Sequence, residues 1–417
     1  APTPVPPLTI HTPSEFVMPI DQHAATALDC ARDEAFWQRI ASRYEVEPGP
    51  INLENGYFGR MTRTVVEDYQ HQIAAINRSN SVYVRHQFDQ VDSVLIRDQL
   101  AAMVQVPAHE IAITRCASES LQSLIRNYNA LQPGDQVLIS DLDYISVQSA
   151  MRWLAKSRDV EVIEIQHPHP ATYESLLDSY RSAFESHPRL KLMALTHVTH
   201  RTGLVMPVQA IAAWAKTHRI DVILDGAHAL GQLDFKLDEL GVAFAGFNLQ
   251  KWIGAPLSLG FIYIAQERLT DIDPDMGDSR FAIDDIRSRA PYGTPNIPAL
   301  MTLPRVFEEH LAMGGAAVKG ARLNYLRDLW VKPARELSGI EILTPDDARL
   351  YCGITALRFT RQVDQQRMVE RLLEEYNLFT VARDGAACGP CIRITPGFTT
   401  SVAEIETLVR ALRELSR

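Results

Sequence analysis

Residues 221–251 read DVILDGAHALGQLDFKLDELGVAFAGFNLQK. The stretch contains two short runs, DVILDG and FAGFNL, in which apolar residues follow one another without the alternation of a half-exposed strand. Strands that are covered by helices on both faces have this composition. The first run reaches Asp225 and the second is followed by Lys251, so each places a charged side chain at its carboxyl end. We therefore predict two central strands of a layered α/β domain.

Five further short runs rich in β-branched residues flank this stretch, and several of them are apolar on both faces. In chain order they are IAIT (111–114), QVLIS (136–140), VEVIEI (160–165), KLMALTHV (191–198) and GFIYIA (260–265). Segments with helical spacing lie between them, for example PVQAIAAWAKTHR (207–219). Together they predict an α/β fold with a seven-stranded, mostly parallel sheet. In such sheets ligands bind beyond the carboxyl ends of the strands, so the polar residues there are the candidate functional residues.

The pattern changes beyond residue 300. A helical stretch, MTLPRVFEEHLAMGG (301–315), leads to the strand runs ITALRF (354–359) and CIRIT (391–395) and to a last helix, AEIETLVRALRELS (403–416). These elements predict a smaller α+β domain. A chain of 417 residues is also too long for one compact core. We predict a Pro-rich extended arm (1–20), a segment that packs with the small domain (21–58), a large domain (59–300) and a small C-terminal domain (301–417).

Composition excludes several classes of function. The net charge of -10 lacks the basic footprint that binding to phosphate backbones requires, so nucleic acid is not an expected partner. No apolar run has the length of a membrane span, and no membrane association or metal site is expected. Five cysteines in a chain of this length do not form a disulfide framework. The start at Ala1, followed by PTPVPP, fits an exported and processed protein and fits an artificially trimmed chain equally well.

Asp225 and Lys251 are charged residues in loops that leave buried strands. A carboxylate in such a place needs a cation, and a lysine there needs a partner or a lowered pKa. One interpretation is a structural ion pair, which either residue alone would favour. The other is that the aspartate faces a protonated pyridine nitrogen while the lysine condenses with an aldehyde as a Schiff base, which makes the ring an electron sink.

The first predicted strand turns directly into a helix at Thr114-Arg115-Cys116-Ala117-Ser118-Glu119. Free backbone N–H groups at a helix start bind phosphate, and the helix dipole favours the anion. The alternative is an ordinary N-cap at Ser118. Order along the chain favours the phosphate site, because an aromatic residue, Tyr144, follows the second strand, and the aspartate and the lysine follow the fifth and sixth.

With these residues in this order, the chain resembles the class V aminotransferase group of fold-type-I pyridoxal-phosphate enzymes, in particular the isopenicillin-N-epimerase-like branch. The resemblance covers nearly the whole chain after residue 50. It implies pyridoxal 5'-phosphate as the cofactor and Lys251 as its Schiff-base lysine. It also implies a homodimer with shared active sites, because the Tyr-Gly-Thr-Pro segment, here residues 292–295, reaches the phosphate of the partner subunit in this family.

The resemblance further implies a role for each matching residue. Lys251, Tyr144 and Asp225 would be catalytic, with Tyr144 stacked on the pyridine ring and Asp225 paired with its nitrogen. The cofactor-binding set would be Ala117, Ser118, Tyr144, His200, Asp225, His228, Asn248, Gln250, Lys251, Tyr292 and Thr294. Asn55 would lie near the substrate, and Arg393 would clamp the substrate carboxylate, a bidentate task that suits guanidinium.

The chain departs from the family pattern at two positions. His200 stands where relatives commonly have an asparagine that bonds the ring hydroxyl of the cofactor, and the histidine can replace that donor. Gln250 stands where the residue before the lysine is usually histidine; it can donate to a phosphate but cannot act as an acid or base near neutral pH. Both changes are compatible with cofactor binding and put the ordinary family reaction in doubt.

The segment RDGAACGPC (383–391) has three interpretations. Cys-Gly-Pro-Cys is a redox tetrapeptide in thioredoxin, but that motif needs a helix start, and a strand is predicted to follow here. Arg-x-Gly-x-x-Cys resembles the loop that carries the nucleophilic cysteine of desulfurases, so Cys388 defines a cysteine desulfurase or C–S lyase as the alternative function. The third interpretation, incidental loop cysteines, is favoured by the short spacing from Cys388 to Arg393.

The sequence does not define which bond of the substrate is broken, because that depends on how the substrate is held against the ring. A small-molecule amino-acid or peptide-siderophore substrate is expected. Among branch members, the chain most resembles the periplasmic enzyme of pyoverdine maturation, which converts a glutamyl side group to succinamide, and this implies a periplasmic location. A catalytically inactive binding module is the remaining alternative, although retention of Asp225, Lys251 and Arg393 together weighs against it.

Overall fold

The computed structural model describes residues 26–417. The predicted arm (1–20) and the first residues of the 21–58 segment lie outside this range. The α-helices are α1 Ala27–Arg32, α2 Glu34–Ala41, α3 Arg63–Tyr83, α4 Ser93–Val104, α5 Ala117–Asn127, α6 Ile145–Arg158, α7 Tyr173–Ser186, α8 Val208–Thr217, α9 Ile297–Ala312, α10 Gly315–Arg335, α11 Gln365–Tyr376 and α12 Val402–Leu415. A π-helical stretch, Val84–Asp92, joins α3 to α4.

The strands are β1 Ile51–Asn52, β2 Ile111–Thr114, β3 Gln136–Ser140, β4 Glu161–Ile165, β5 Leu190–Thr196, β6 Asp221–Asp225, β7 Phe244–Asn248, β8 Gly260–Ile264, β9 Ile340–Ile342, β10 Thr355–Phe359, β11 Leu378–Phe379, β12 Val381–Arg383 and β13 Cys391–Ile394. Seven of them form one sheet in the order β2-β8-β7-β6-β5-β3-β4. Only β8 runs antiparallel to its neighbours. The prediction of a seven-stranded, mostly parallel sheet is therefore confirmed.

The two central strands, β6 and β7, are buried on both faces. In β6, Val222 and Leu224 belong to one apolar core, while Ile223 belongs to the other. This split follows from the geometry of a strand, in which successive side chains point to opposite faces. Helix α9 contributes Leu303 to the first core and α5 contributes Leu124 to the second. The sheet is thus enclosed between helical layers, which leaves its carboxyl edge as the place for a site.

A second sheet is built from the C-terminal part of the chain in the order β12-β13-β10-β9, with all its pairs antiparallel. Its core is shared with α10, α11 and α12, through residues such as Trp330, Leu372 and Leu408. The sequence predicted β10, β13 and α12 and missed β9 and β12, which are only three residues long. The short strand β1 pairs in parallel with β11, so residues 51–52 join this part of the chain. The four-part domain division itself stays a prediction.

Across residues 26–417, no helix combines the length and the apolar character that crossing a membrane would require.

Candidate active site

The carboxyl ends of several strands meet at one edge of the large sheet. Strand β6 ends at Asp225 and β7 at Asn248, and Asp225 lies in register with Thr196, the last residue of β5. Strand β2 runs in the same direction as β7, because both are antiparallel to β8, and it ends at Thr114 just before α5. The sheet therefore brings the predicted phosphate, ring and lysine residues to one edge, as the order along the chain indicated.

The Lys251 amine lies between two groups from distant parts of the chain. Its Nζ donates to the carbonyl oxygen of Gly56 at 3.0 Å and lies 3.2 Å from Nε2 of His228. Burial lowers the pKa of Lys251 to about 8, and the positive charge of Arg393 acts in the same direction. Burial together with nearby Lys251 and Arg393 also holds the pKa of His228 well below its usual value, so its ring is neutral. The amine is therefore poised to lose its proton near neutral pH.

Asp225 is 4% exposed and accepts a hydrogen bond at Oδ1 from the backbone N–H of Ala227 at 2.9 Å. Burial raises its pKa to about 6, against the opposing effects of this hydrogen bond and of Lys251. The Asp225 carboxylate and the Lys251 amine are more than 4 Å apart, so the two residues do not form a structural ion pair. The carboxylate still needs a cation, because the only hydrogen bond to it among the described residues is the one that Oδ1 accepts from Ala227.

A second buried carboxylate, Asp143, lies close to Asp225 and was not predicted as a site residue from the sequence. Asp143 accepts hydrogen bonds from Oγ1 of Thr196 and from the backbone N–H of Ser140, both at 2.7 Å. Burial, with a smaller contribution from the charge of Asp225, raises its pKa to about 7 against the opposing effect of these hydrogen bonds. The signal was present, because Asp143 immediately precedes Tyr144 at the end of a predicted strand.

Helix α5 begins at the predicted phosphate site, but its N-cap is Cys116 rather than Ser118, and the Cys116 side chain makes no capping hydrogen bond. The interpretation of Ser118 as an ordinary N-cap is therefore wrong. The backbone N–H of Ala117 donates to Oδ1 of Asn248 at 2.9 Å. Gln250 also donates to this oxygen, at 3.1 Å, and accepts from Leu259 N–H. Asn248 and Gln250 thus fix the start of the helix, whose next N–H groups stay open for an anion.

Tyr144 and His200 lie together beside the lysine. Their ring centroids are 5.0 Å apart in an edge-to-face arrangement, and Tyr144 is 40% exposed. Nδ1 of His200 is buried and has no hydrogen-bond partner among the described residues. Burial lowers the pKa of His200 to about 3, with further lowering by Arg201 and Arg393. A neutral imidazole with an unused nitrogen can exchange a hydrogen bond with a ring hydroxyl, as the resemblance implied.

Arg393 forms an ion pair with Glu54, which was not predicted from the sequence. Its Nε donates to Oε2 of Glu54 at 3.2 Å, its Nη2 contacts Oε1 of the same carboxylate, and its Nη1 donates to the carbonyl oxygen of His200 at 2.6 Å. The arginine and glutamate side chains are 3% and 7% exposed. A guanidinium has five N–H donors, so one on Nη1 and one on Nη2 stay free for a substrate carboxylate.

The segment from Glu54 to Gly59 joins the arginine to the lysine loop. Asn55 donates from Nδ2 to the carbonyl oxygen of Thr395 at 3.0 Å, and Gly59 N–H donates to the carbonyl oxygen of Gln250 at 2.7 Å. A Cβ on Gly59 would lie 2.0 Å from the carbonyl oxygen of Lys251, so only glycine allows this approach of the two backbones. Asn55 is thus placed beside the lysine and arginine, as expected for a residue near the substrate.

Tyr292 and Thr294 are not brought to the lysine within one chain. Both are exposed, and the Tyr292 ring is covered by the guanidinium of Arg280, whose Cζ lies 3.7 Å from the ring centroid. Their contribution to the site of a partner subunit stays a prediction.

Cys388 and Cys391 are free thiols, and a strand follows them, as predicted. Cys388 lines a small cavity with Asp141, His167 and Thr202 rather than with Lys251. Burial and nearby Asp141 raise the pKa of the Cys388 thiol, and burial raises that of Cys391 to about 12. Both cysteines are therefore thiols near neutral pH, which is unfavourable for a nucleophilic role.

The groups that are left without partners fit pyridoxal phosphate. Asp225 needs a cation, which a protonated pyridine nitrogen supplies. The N-cap residue of α5 makes no capping hydrogen bond, and the N–H groups that follow Ala117 suit a phosphate. Nδ1 of His200 and Nδ1 of His228 are buried and unpaired among the described residues. A lysine amine with a lowered pKa completes the set.

The fold and these groups define a fold-type-I pyridoxal-phosphate enzyme. A family profile described as Aminotransferase class-V matches residues 59–410. The chain belongs to the class V aminotransferase family, and pyridoxal phosphate is its cofactor.

Individual relatives agree with this assignment. The chain is similar to an isopenicillin N epimerase from Streptomyces clavuligerus, with 24% identity over 92% of this chain and 99% of that protein. It is also similar to a probable cysteine desulfurase from Vibrio cholerae, with 24% identity over 76% of this chain and 81% of the other. A solved cysteine desulfurase from Escherichia coli shares the fold, with a TM-score of 0.76, 20% identity and coverage of 91% and 98%. The predicted class and the epimerase-like branch are thus confirmed.

Proposed function

We propose that the protein is an amine-transforming enzyme in which Lys251 carries the cofactor and Arg393 holds the carboxylate of an amino-acid or glutamyl substrate. The observation that carries this proposal is the position of the Lys251 amine between the Gly56 carbonyl and His228, with a lowered pKa and with Asp225 buried nearby. Lysine amines that serve as nucleophiles or bases commonly have a pKa lowered by burial or by nearby positive charge.

Bound pyridoxal phosphate supplies an aldehyde that condenses with amines and a ring that accepts an electron pair. The residues of this chain supply everything else. The Asp225 carboxylate would keep the pyridine nitrogen of the cofactor protonated. The start of α5, with Ser118, would bind the cofactor phosphate. His200 and Tyr144 border the position of the cofactor ring. The free Nη1 and Nη2 hydrogens of Arg393 orient the substrate carboxylate. The Lys251 amine moves a proton at the substrate α-carbon, with neutral His228 as its neighbour.

The lowered pKa predicts how the Lys251 amine reacts in cofactor-free protein. Only the neutral amine reacts with acetic anhydride, and its fraction rises about tenfold per pH unit below the pKa. Labelling of Lys251 should therefore rise up to about pH 8 and then level off. Exposed Lys236, whose pKa its partner Glu239 raises, should continue to rise beyond pH 10. Peptide mass spectrometry measures both in one sample, and parallel profiles for the two lysines would contradict the lowered pKa.

The finer proposal is that the substrate is the glutamyl side group of a pyoverdine precursor, which a periplasmic homodimer converts to succinamide. In this conversion molecular oxygen is the oxidant, the α-carboxyl group leaves as carbon dioxide, the α-carbon becomes the amide carbon, and water is released. Support comes from the epimerase-like branch and from exposed aromatic side chains that a second subunit can cover. These are Tyr57 beside the lysine site, at 71%, and Tyr292, which lies away from the lysine of its own chain, at 43%.

The experiment is a reaction screen of protein loaded with pyridoxal phosphate. Free L-amino acids and a γ-linked glutamyl peptide are supplied in heavy water, and mass spectrometry detects deuterium at the α-carbon, keto acids, amines and carbon dioxide. We expect one of these products, absent in the Lys251→Ala variant. Lack of turnover of any amine by fully loaded protein would favour the inactive binding module. Turnover of free amino acids but not of the peptide would reject the pyoverdine proposal alone.

Desulfurase or C–S lyase activity is a second candidate, because several relatives are named as desulfurases. It requires sulfide release from cysteine that depends on Cys388 or Cys391. The raised pKa of both thiols leads us to expect no sulfide. Sulfide release that is lost in Cys388→Ser and retained in Cys30→Ser would establish this activity instead.

A further inference from the structure

Three guanidinium groups gather where the second sheet meets the lysine loop. Arg393 and Arg383 both contact Oε1 of Glu54, with Nη2 of Arg383 at 3.5 Å. Arg201 donates from Nη1 to the carbonyl oxygen of Asp141 at 3.1 Å. Within residues 26–417 no carboxylate lies within 4 Å of Arg201. One glutamate therefore faces two arginines, and a third arginine has only a neutral partner.

The positive charges of this group act on one another. Burial lowers the pKa of Arg383, with further lowering by Arg393 and by Arg201. The same arginines lower the pKa of His200, which lies among them. Like charges at short range in a partly buried place are unfavourable until an anion binds between them. The region is therefore electrostatically prepared for more negative charge than Glu54 provides.

Arg383 and Arg201 also have unused donors. Nε of Arg383 is buried without a hydrogen-bond partner among the described residues, and its Nη1 makes only a long contact of 3.4 Å with the carbonyl oxygen of Ala382. Nη2 of Arg201 would lie 3.2 Å from a Cβ on Gly385, which has a φ of +92°. The loop after β12 thus passes close to Arg201 at a residue that has no side chain.

We propose that Arg383 and Arg201 form a second anion subsite beside Arg393, which binds the distal carboxylate of a short dicarboxylic amine substrate such as L-glutamate. The inference rests on the proposed function in its general form, because it assigns the α-carboxylate to the two free N–H groups of Arg393. It competes with the pyoverdine substrate, because a γ-linked glutamyl group has no free distal carboxylate. Glu54 neutralises one of the three guanidinium charges, and the two carboxylates of the substrate balance the other two. Charge-assisted hydrogen bonds to guanidinium give the strength and the geometric selectivity that this task requires.

Binding of amine-free ligands tests the subsite separately from catalysis. Glutarate and butyrate are titrated by calorimetry into protein loaded with pyridoxal phosphate. We expect glutarate to bind about tenfold more tightly than butyrate, and we expect Arg383→Gln and Arg201→Gln each to remove most of this difference. Arg383→Lys, which keeps the charge, should retain part of it, and Arg367→Gln, which removes an exposed arginine paired with Glu370 on α11, should retain all of it. Equal affinity for the two ligands would overturn the proposal.

Turnover provides the second arm. The ratio of kcat/KM for L-glutamate to that for L-glutamine should fall about tenfold in Arg383→Gln, with folding checked by circular dichroism. Equal kcat/KM for the two amino acids in the unmodified protein would show that the subsite accepts an amide, and would overturn its assignment to a carboxylate. Glutarate selectivity without turnover of any amine would leave the subsite standing and reject the proposed function. Turnover without glutarate selectivity would reject the subsite and leave the proposed function standing.

Discussion

Replacement of Lys251 by alanine is expected to abolish the visible absorption band of protein loaded with pyridoxal phosphate and to lower turnover by about 10²- to 10⁴-fold or more. The band requires a covalent bond to an amine, and Lys251 is the lysine whose Nζ reaches the strand-end site, between the Gly56 carbonyl and His228. The same amine is the group placed to move a proton at the substrate. Its loss therefore removes both the attachment of the cofactor and the base.

Two controls separate this effect from general damage. Lys236→Ala removes an exposed lysine that pairs only with Glu239 and should leave band and turnover unchanged. Added methylamine should restore part of the turnover of Lys251→Ala, because a small free amine can occupy the vacated space. A Lys251→Ala protein that is folded by circular dichroism and keeps the visible band would reject the assignment of Lys251.

Replacement of Asp225 by asparagine should lower kcat by roughly 30- to 5,000-fold while the protein stays folded. Removing one member of a buried charge pair costs about 2–5 kcal/mol, which corresponds to this range. The asparagine side chain can still accept the hydrogen bond from Ala227 N–H, so the loop should keep its shape. The change therefore removes the charge that stabilises a protonated ring nitrogen with little other effect. Steady-state kinetics and the affinity for pyridoxal phosphate measure it.

The neighbouring carboxylate supplies a matched comparison. Asp143 is equally buried, but its oxygens accept hydrogen bonds from Thr196 and Ser140. Asp143→Asn should therefore cause a much smaller fall in kcat than Asp225→Asn, and a stability loss of about 1–3 kcal/mol in denaturant unfolding. Equal losses of kcat in the two variants would mean that the general polarity of this region matters, and not a specific partner for Asp225.

The large sheet and the edge that carries the site were predictable because both depend on local pattern. Each of the seven strands lies in a short run rich in apolar and β-branched residues. Asp225 ends one such run, and Tyr144 comes soon after another. The three-residue strands β9 and β12 are too short to show a pattern. The resemblance supplied what spacing could not, namely the tasks of Arg393 and His200.

The contact between Glu54 and Arg393 was not predictable from local pattern. It joins residues that are 339 positions apart, and nothing near either residue in the sequence indicates the other. The same holds for the group of Arg201, Arg383 and Arg393, which three separate strand ends and loops bring together. Such contacts are set where the C-terminal part of the chain meets the loops at the edge of the large sheet, which the sequence does not display at any single position.

The six residues from Glu54 to Gly59 determine how far the arginine lies from the lysine. At one end Glu54 is bridged to Thr395 beside Arg393, and at the other Gly59 is hydrogen-bonded to Gln250 beside Lys251. The segment thus acts as a spacer of constant length between the group that holds a substrate and the group that reacts with it. Insertion of one residue between Asn55 and Gly59 would change this spacing without altering any catalytic side chain. The enzyme would then favour a substrate with a longer distance between its carboxylate and its reacting amine.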